Sequence, residues 1–184
     1  MGCEIVDNKK RMMFVLDEDY YYITLKILVI LKGLGCYKNS FVDYRKMAFI
    51  IEIIKDKENI RLYEKYMCND EMDIFENEKM ISIYCSGNIK SNSVKRVLFF
   101  LGKQEIVTLE KNDRFNCIDI ILNRNEKIKK LLSDEVMNTD LDRVEIVKRY
   151  FTRVKSVKYE TFIARIFGNG EVSNGKISNQ KDYI

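Results

Sequence analysis

At 184 residues, 46% of them hydrophobic and 33% charged, the chain is long enough to build one domain around its own core and too apolar to remain disordered. Its 32 Lys and Arg exceed its 28 Asp and Glu by only four, so total charge alone does not define a nucleic-acid-binding protein. It has no histidine, and its five cysteines (Cys3, Cys36, Cys68, Cys85 and Cys117) form no C-x-x-C pair; this argues against zinc, a disulfide framework and His-based acid–base catalysis, and reduced thiols point to the cytoplasm.

Residues 1–19 read as a short N-terminal segment with an apolar patch, Met12 to Leu16. The opening Met1-Gly2-Cys3 resembles the start of a lipidation signal, but the sixth position lacks the required Ser or Thr. From Asp19, a suitable N-cap, Tyr20 to Leu31 is apolar nearly all round and stops at Gly33 and Gly35, which predicts a buried central helix. Lys26 and Lys32 interrupt that stretch, and it falls short of the ~20 apolar residues a membrane span needs. Neither a membrane segment nor a secretory signal is expected.

Asn39-Ser40 is placed to cap a second helix, Phe41 to Lys55, because Phe41, Tyr44, Met47, Ala48, Ile51 and Ile54 recur at three- and four-residue spacing. A third helix is expected over Ile60 to Met67. Between Asp56 and Lys79 eight acids outnumber four bases, so this region should turn away from DNA. Asp70, Asp73 and Glu76 are spaced for one helical face that could take a divalent cation, but a solvated acidic loop is the commoner outcome and no metal is expected.

The pattern is most legible from Asn92 to Leu122. Ser93 heads a helix over Val94 to Lys103 with Val97, Leu98 and Leu101 on one face; strand-like runs Glu105–Glu110 and Phe115–Leu122 then flank a turn, Lys111 to Arg114. A helix followed by a charged-tipped hairpin is the tail of a winged helix. A short helix over Lys127–Leu132 follows. Thr139-Asp140 opens a longer helix to about Val157, with Val144, Val147, Phe151 and Val154 as an a/d-like stripe. Seven bases against three acids between Asp142 and Arg165 make this the basic part of the chain. A last helix, Tyr159 to Phe167, ends at Gly168.

The fold class expected is α+β, mainly α: a winged-helix-like module of helices plus a β-hairpin wing, with a C-terminal helical extension. Residues 20–168 form its single domain, and the polar segment 169–184 is a flexible tail. The G-x-x-x-x-G-K-[ST], G-x-G-x-x-G and H-E-x-x-H motifs are all missing, so no catalytic, cofactor-binding or metal-ligating residues are singled out, and neither cofactor nor metal is expected. An enzyme would have to use a residue such as Asp43 or Cys85.

The candidate contacts to phosphate or to an acidic partner are Lys95, Arg96 and Lys103 on the helix, Lys111 and Arg114 at the wing tip, and Lys148, Arg149, Arg153 and Lys155 in the basic region. Glu105, Glu110 and Asp113 weaken the first group, and sequence-specific reading of base edges is not supported by the side chains around them.

Leu25 to Leu31, then Phe41 to Ile50, then Val97 to Leu101 leading into Ile106-Val107-Thr108-Leu109, resembles the middle component of bacterial ABC-three-component systems, which include the small subunit of Lamassu-type antiphage defence complexes. The ending from Lys155 through Gly170 is similar to the closing segment of that family, so the resemblance spans about residues 20–170. It implies a non-catalytic subunit that bridges an SMC-like ABC ATPase and an effector, often a nuclease, in antiphage or anti-plasmid defence, with ATP hydrolysis and cleavage belonging to the partners. The alternative expectation is a free-standing winged-helix transcription regulator that binds DNA as a symmetric dimer. The exposed edges of the first two helices and the stripe of 144–154 are the partner surfaces expected for the bridging subunit.

Overall fold

The computed structural model describes residues 20–132 and 135–168; the expectations for 1–19, including the Asp19 cap, and for 169–184 lie outside the described residues. The described residues are mainly helical, with a small two-stranded antiparallel sheet.

Helix α1 (20–33) is the central helix that its all-round apolarity predicts, with Ile27, Val29, Ile30 and Leu31 fully enclosed. It ends as glycine chemistry requires: Gly35 takes φ 68, its N–H bonds the Lys32 carbonyl, and the Cys36 N–H reaches back to Leu31.

Helix α2 (Lys46–Ile53) starts five residues later than expected, and its eight residues are all buried. Asn39 and Ser40 do not cap it. Phe41 instead exchanges both main-chain hydrogen bonds with Ile120, at 2.7 and 3.0 Å, and Asp43 turns left-handed at φ 62, which no helix can continue through. The apolar spacing of Phe41 and Tyr44 thus serves an extended segment laid against the hairpin.

Helix α3 (Lys57–Met67) is capped by the Asp56 carboxylate, which accepts from the Asn59 N–H at 2.8 Å. Helix α4 (Ile74–Lys103) runs unbroken for 30 residues, so Ser93 lies inside it rather than at its head. Its start is fixed by a capping box: Asp73 accepts from the Glu76 N–H at 2.8 Å, while Glu76 accepts from the Asp73 N–H at 3.1 Å. Asp73 and Glu76 are therefore used at a helix start, and Glu76 also takes the Lys65 ammonium, whose hydrogen bond holds its carboxyl below the usual carboxylate range. At mid-helix, Gly87 lets α4 approach α2 closely; a Cβ there would stand 2.6 Å from the Phe49 ring.

Strands β1 (Val107–Asn112) and β2 (Cys117–Leu122) pair antiparallel from Val107 opposite Leu122 to Asn112 opposite Cys117. The turn is residues 113–116, two residues beyond the expected 111–114, with Asn116 supplying φ 47. With β1 on one side and Phe41 on the other, β2 buries Cys117 and Asp119 as well as Ile120 and Leu122. Its mixed face is thus not a solvent face.

Helix α5 (Glu126–Leu132) and a 3-10 turn (Glu135–Met137) lead into helix α6 (Asn138–Tyr150), which stops seven residues short of the expected Val157. The carbonyls of Val154 and Val157, which a longer helix would leave pointing along its axis, accept instead from the Lys46 ammonium at 2.7 and 2.6 Å. The stripe is interior: Val144, Val147 and Val154 are fully enclosed, and with α2 also buried, neither offers the partner surface expected of it. Helix α7 (Tyr159–Phe167) closes the core with Phe162, Ile166 and Phe167, the ring of the last lying tilted 5.8 Å from Phe49 and edge-on 5.3 Å from Tyr84.

Candidate interaction surface

Charged side chains gather in two settings, one inside the molecule and one on the outer face of α4. The interior group joins the 40–46 segment, the hairpin and the 152–159 segment. Asp43, with no exposed surface, accepts from Arg45 Nε at 2.9 Å and from a terminal guanidinium nitrogen at 2.6 Å, and from the Tyr159 N–H at 3.3 Å. Asp119 accepts from the Asp43 N–H at 3.0 Å and from Asn112 Nδ2 at 2.8 Å. Lys46, also without exposed surface, donates to the carbonyls of 154 and 157 and lies 4.6 Å over the Phe41 ring. Burial pushes its ammonium down to about 7, against the opposing pull of the Asp43 and Asp119 carboxylates.

A lysine with so low a pKa is a common mark of a reacting amine. Here its donors are spent on main-chain carbonyls, and the group spans three segments of chain, which is the geometry of a clamp. Asp43, one residue on which an enzyme reading would rest, is committed to the same clamp. Burial also pushes the Cys36 and Cys117 thiols up to about 11, so both are protonated at neutral pH and poor nucleophiles.

The outer face of α4 is different. From Lys79 to Gln104 the sequence holds five cations and no carboxylate. Two of the five are paired, Lys79 with Glu58 at 3.5 Å and Lys90 with Glu52 at 2.7 Å. Lys95, Arg96 and Lys103 are exposed and have no ion pair among the described residues. They line one open depression with Asn92, Phe99 and Phe100. Phe99 and Lys103 also line a second, with the carboxylate of Glu105 and with Gly102, Val107, Thr108, Leu109 and Asn123, where the helix meets β1. Phe99 is 44% and Phe100 58% exposed, unusual for adjacent phenylalanines and a sign of a contact surface.

The opposite end of α4 carries a second exposed apolar pair, Ile74 at 69% and Phe75 at 79%, among the exposed acids Asp70, Glu71 and Glu78. Twenty-four residues of helix separate Phe75 from Phe99, about 36 Å.

Of the other sequence candidates, Lys111 is paired with Asp113 at 2.8 Å, and Arg114 lies 5.0 Å over the Phe115 ring. Neither lines the α4 depressions. Lys148 is held by Glu145 at 3.0 Å; Lys155 is half-buried and contributes its carbonyl, 3.4 Å from the Lys46 ammonium, to the clamp; Arg149 and Arg153 are exposed. The structure thus gathers Lys95, Arg96 and Lys103 and leaves the rest dispersed. The basic residues were visible in the sequence, but Asn92, Phe99, Phe100, Ile74 and Phe75 were not read as surface. The signal for Asn92, Phe99 and Phe100 was the acid-free run of 79–104 read on a helical wheel, where Val94, Val97, Leu98 and Leu101 take the inner side.

No family model matches the chain, and no curated protein or solved structure is significantly similar to it.

Proposed function

We propose that the protein is a non-catalytic adaptor, a winged-helix-like bridging subunit that holds two chemically different partners at the two ends of α4. The observation that carries this reading is the pair of exposed apolar patches on one rigid helix, one set among acids and the other among cations, about 36 Å apart. Surfaces of opposite charge select different partners, and a continuous helix fixes the distance between them. The winged-helix assignment is supported by chain order: helix α1, the Phe41 segment, helices α2 to α4, then a hairpin whose second strand pairs back with Phe41.

The resemblance noted in the sequence gives the partners their identity in this reading: an SMC-like ABC ATPase and a nuclease-type effector of a cytoplasmic antiphage or anti-plasmid complex. Affinity purification of the tagged protein from its own host, with mass spectrometry and sizing, tests it. A large ATPase and an effector chain should co-elute, and Ile74→Ser/Phe75→Ser should release one of them. A compact homodimer that retains a single DNA sequence would overturn the adaptor and favour a transcription regulator, a second reading for which the exposed cations on the helix before the hairpin speak.

A further inference from the structure

We infer that the basic end of α4 binds single-stranded nucleic acid, with bases stacked on Phe99 and Phe100 and phosphates held by Lys95, Arg96 and Lys103. This rests on the adaptor reading for its place at that end of the helix, and it names the partner there. Three cations that form no ion pair among the described residues, against the single carboxylate of Glu105 in the adjoining depression, leave a net positive face that suits a polyanion. An acidic protein segment would satisfy that charge, but it gives no reason for two phenylalanine rings to stand in water among the cations. Unpaired bases do, because each presents a π-face to stack and a phosphate within reach of a neighbouring cation. The first depression, which Glu105 does not line, holds both rings and all three cations, so a strand lying in it meets an aromatic ring and a cation together.

Duplex DNA fits less well. A duplex gripped by helix and wing would meet a tip where Glu110 and Asp113 balance Lys111 and Arg114 and where Lys111 is already paired. It would also keep its bases stacked on one another, leaving the exposed rings without a use.

The test is fluorescence anisotropy of the full chain with a labelled oligothymidylate of about 20 nucleotides, repeated with a duplex of equal length, over a range of salt. The single strand should bind more tightly than the duplex. Phe99→Leu/Phe100→Leu, which keeps apolarity but removes the rings, should weaken binding at least about fivefold with an unchanged salt slope, whereas Phe99→Tyr/Phe100→Tyr should keep it. Lys95→Gln/Arg96→Gln/Lys103→Gln should flatten the salt slope by about 2. All five side chains are exposed, so circular dichroism should be unchanged and folding does not confound the result. Equal or tighter duplex binding, or Leu variants that bind as well as the parent, would overturn the stacking model. If no oligonucleotide binds while the phenylalanine variants lose a protein from the purified complex, the end belongs to an acidic protein: the adaptor reading survives and this inference fails. If the complex itself is not recovered while oligonucleotide binding behaves as described, the adaptor reading fails and this one stands.

Discussion

Lys46 and Lys103 are both lysines on helices of one chain, yet one has no exposed surface and bonds main-chain carbonyls, and the other stands in solvent without an ion pair among the described residues. The interior group around Lys46, Asp43 and Asp119 is complete in itself: carboxylates, guanidinium, ammonium and carbonyls meet within the chain. The face of Lys95, Arg96 and Lys103 is not. Where counter-groups converge, charge holds the fold; where the described residues supply none, charge is left for another molecule.

The comparison can be broken most severely at Lys46. Lys46→Met keeps the length of the side chain but leaves the 154 and 157 carbonyls unpaired, and should cost about 3–5 kcal/mol in urea unfolding. A loss under about 1 kcal/mol would show that the ammonium is not part of the clamp.

The two sides of α4 supply the next contrast. Gly87→Ala drives a methyl into the Phe49 ring and should cost about 1–3 kcal/mol, whereas Ile89→Ala, on a side chain 79% exposed, should change stability by under about 0.5 kcal/mol. Equal effects would mean that the helix presents a different face.

A pH series sharpens the account of Lys46. Its proton leaves the folded protein near pH 7 and the unfolded chain only near 10.5, so between these values the unfolded state binds more protons and stability rises with pH. The slope is at most about 1.4 kcal/mol per unit between pH 7 and 8.5, and Lys46→Met should remove it. Above that, the raised Cys36 and Cys117 thiols oppose the rise, because the unfolded chain then loses protons that the folded protein keeps. A parent protein whose stability is flat from pH 7 to 8.5 would contradict this.

The smallest effect belongs to the charged face. Lys95→Gln/Arg96→Gln/Lys103→Gln should leave thermal unfolding within about 0.5 kcal/mol of the parent, since no internal partner is lost. A larger loss would assign these cations to the fold.

Much of the helical order was legible before the structure because it follows from local pattern. Helix α1 is apolar all round and glycine-terminated, α7 ends at Gly168, and the hairpin follows from two β-rich runs, although its turn falls two residues later than composition suggests because Asn112 and Cys117 still pair. Two of the misjudged boundaries share a cause: the start of α2 and the end of α6 are each set by a group outside the local window, Ile120 capturing Phe41 and Lys46 drawing in carbonyls more than a hundred residues away. The start of α4 is set locally, by the Asp73–Glu76 capping box, and was missed because Ser93 offered a second capping residue inside the same helix.

The sequence by itself determined which segments can be helix or strand, since periodicity and capping act within a few residues, and it marked Lys95, Arg96 and Lys103 as surface cations. Only the tertiary structure decided which charges are consumed inside and which stay free. A buried charge is tolerated only when groups from distant parts of the chain converge on it, and that convergence, which encloses Asp43 and Lys46 while leaving Phe99 and Phe100 in solvent, is a property of packing rather than of spacing.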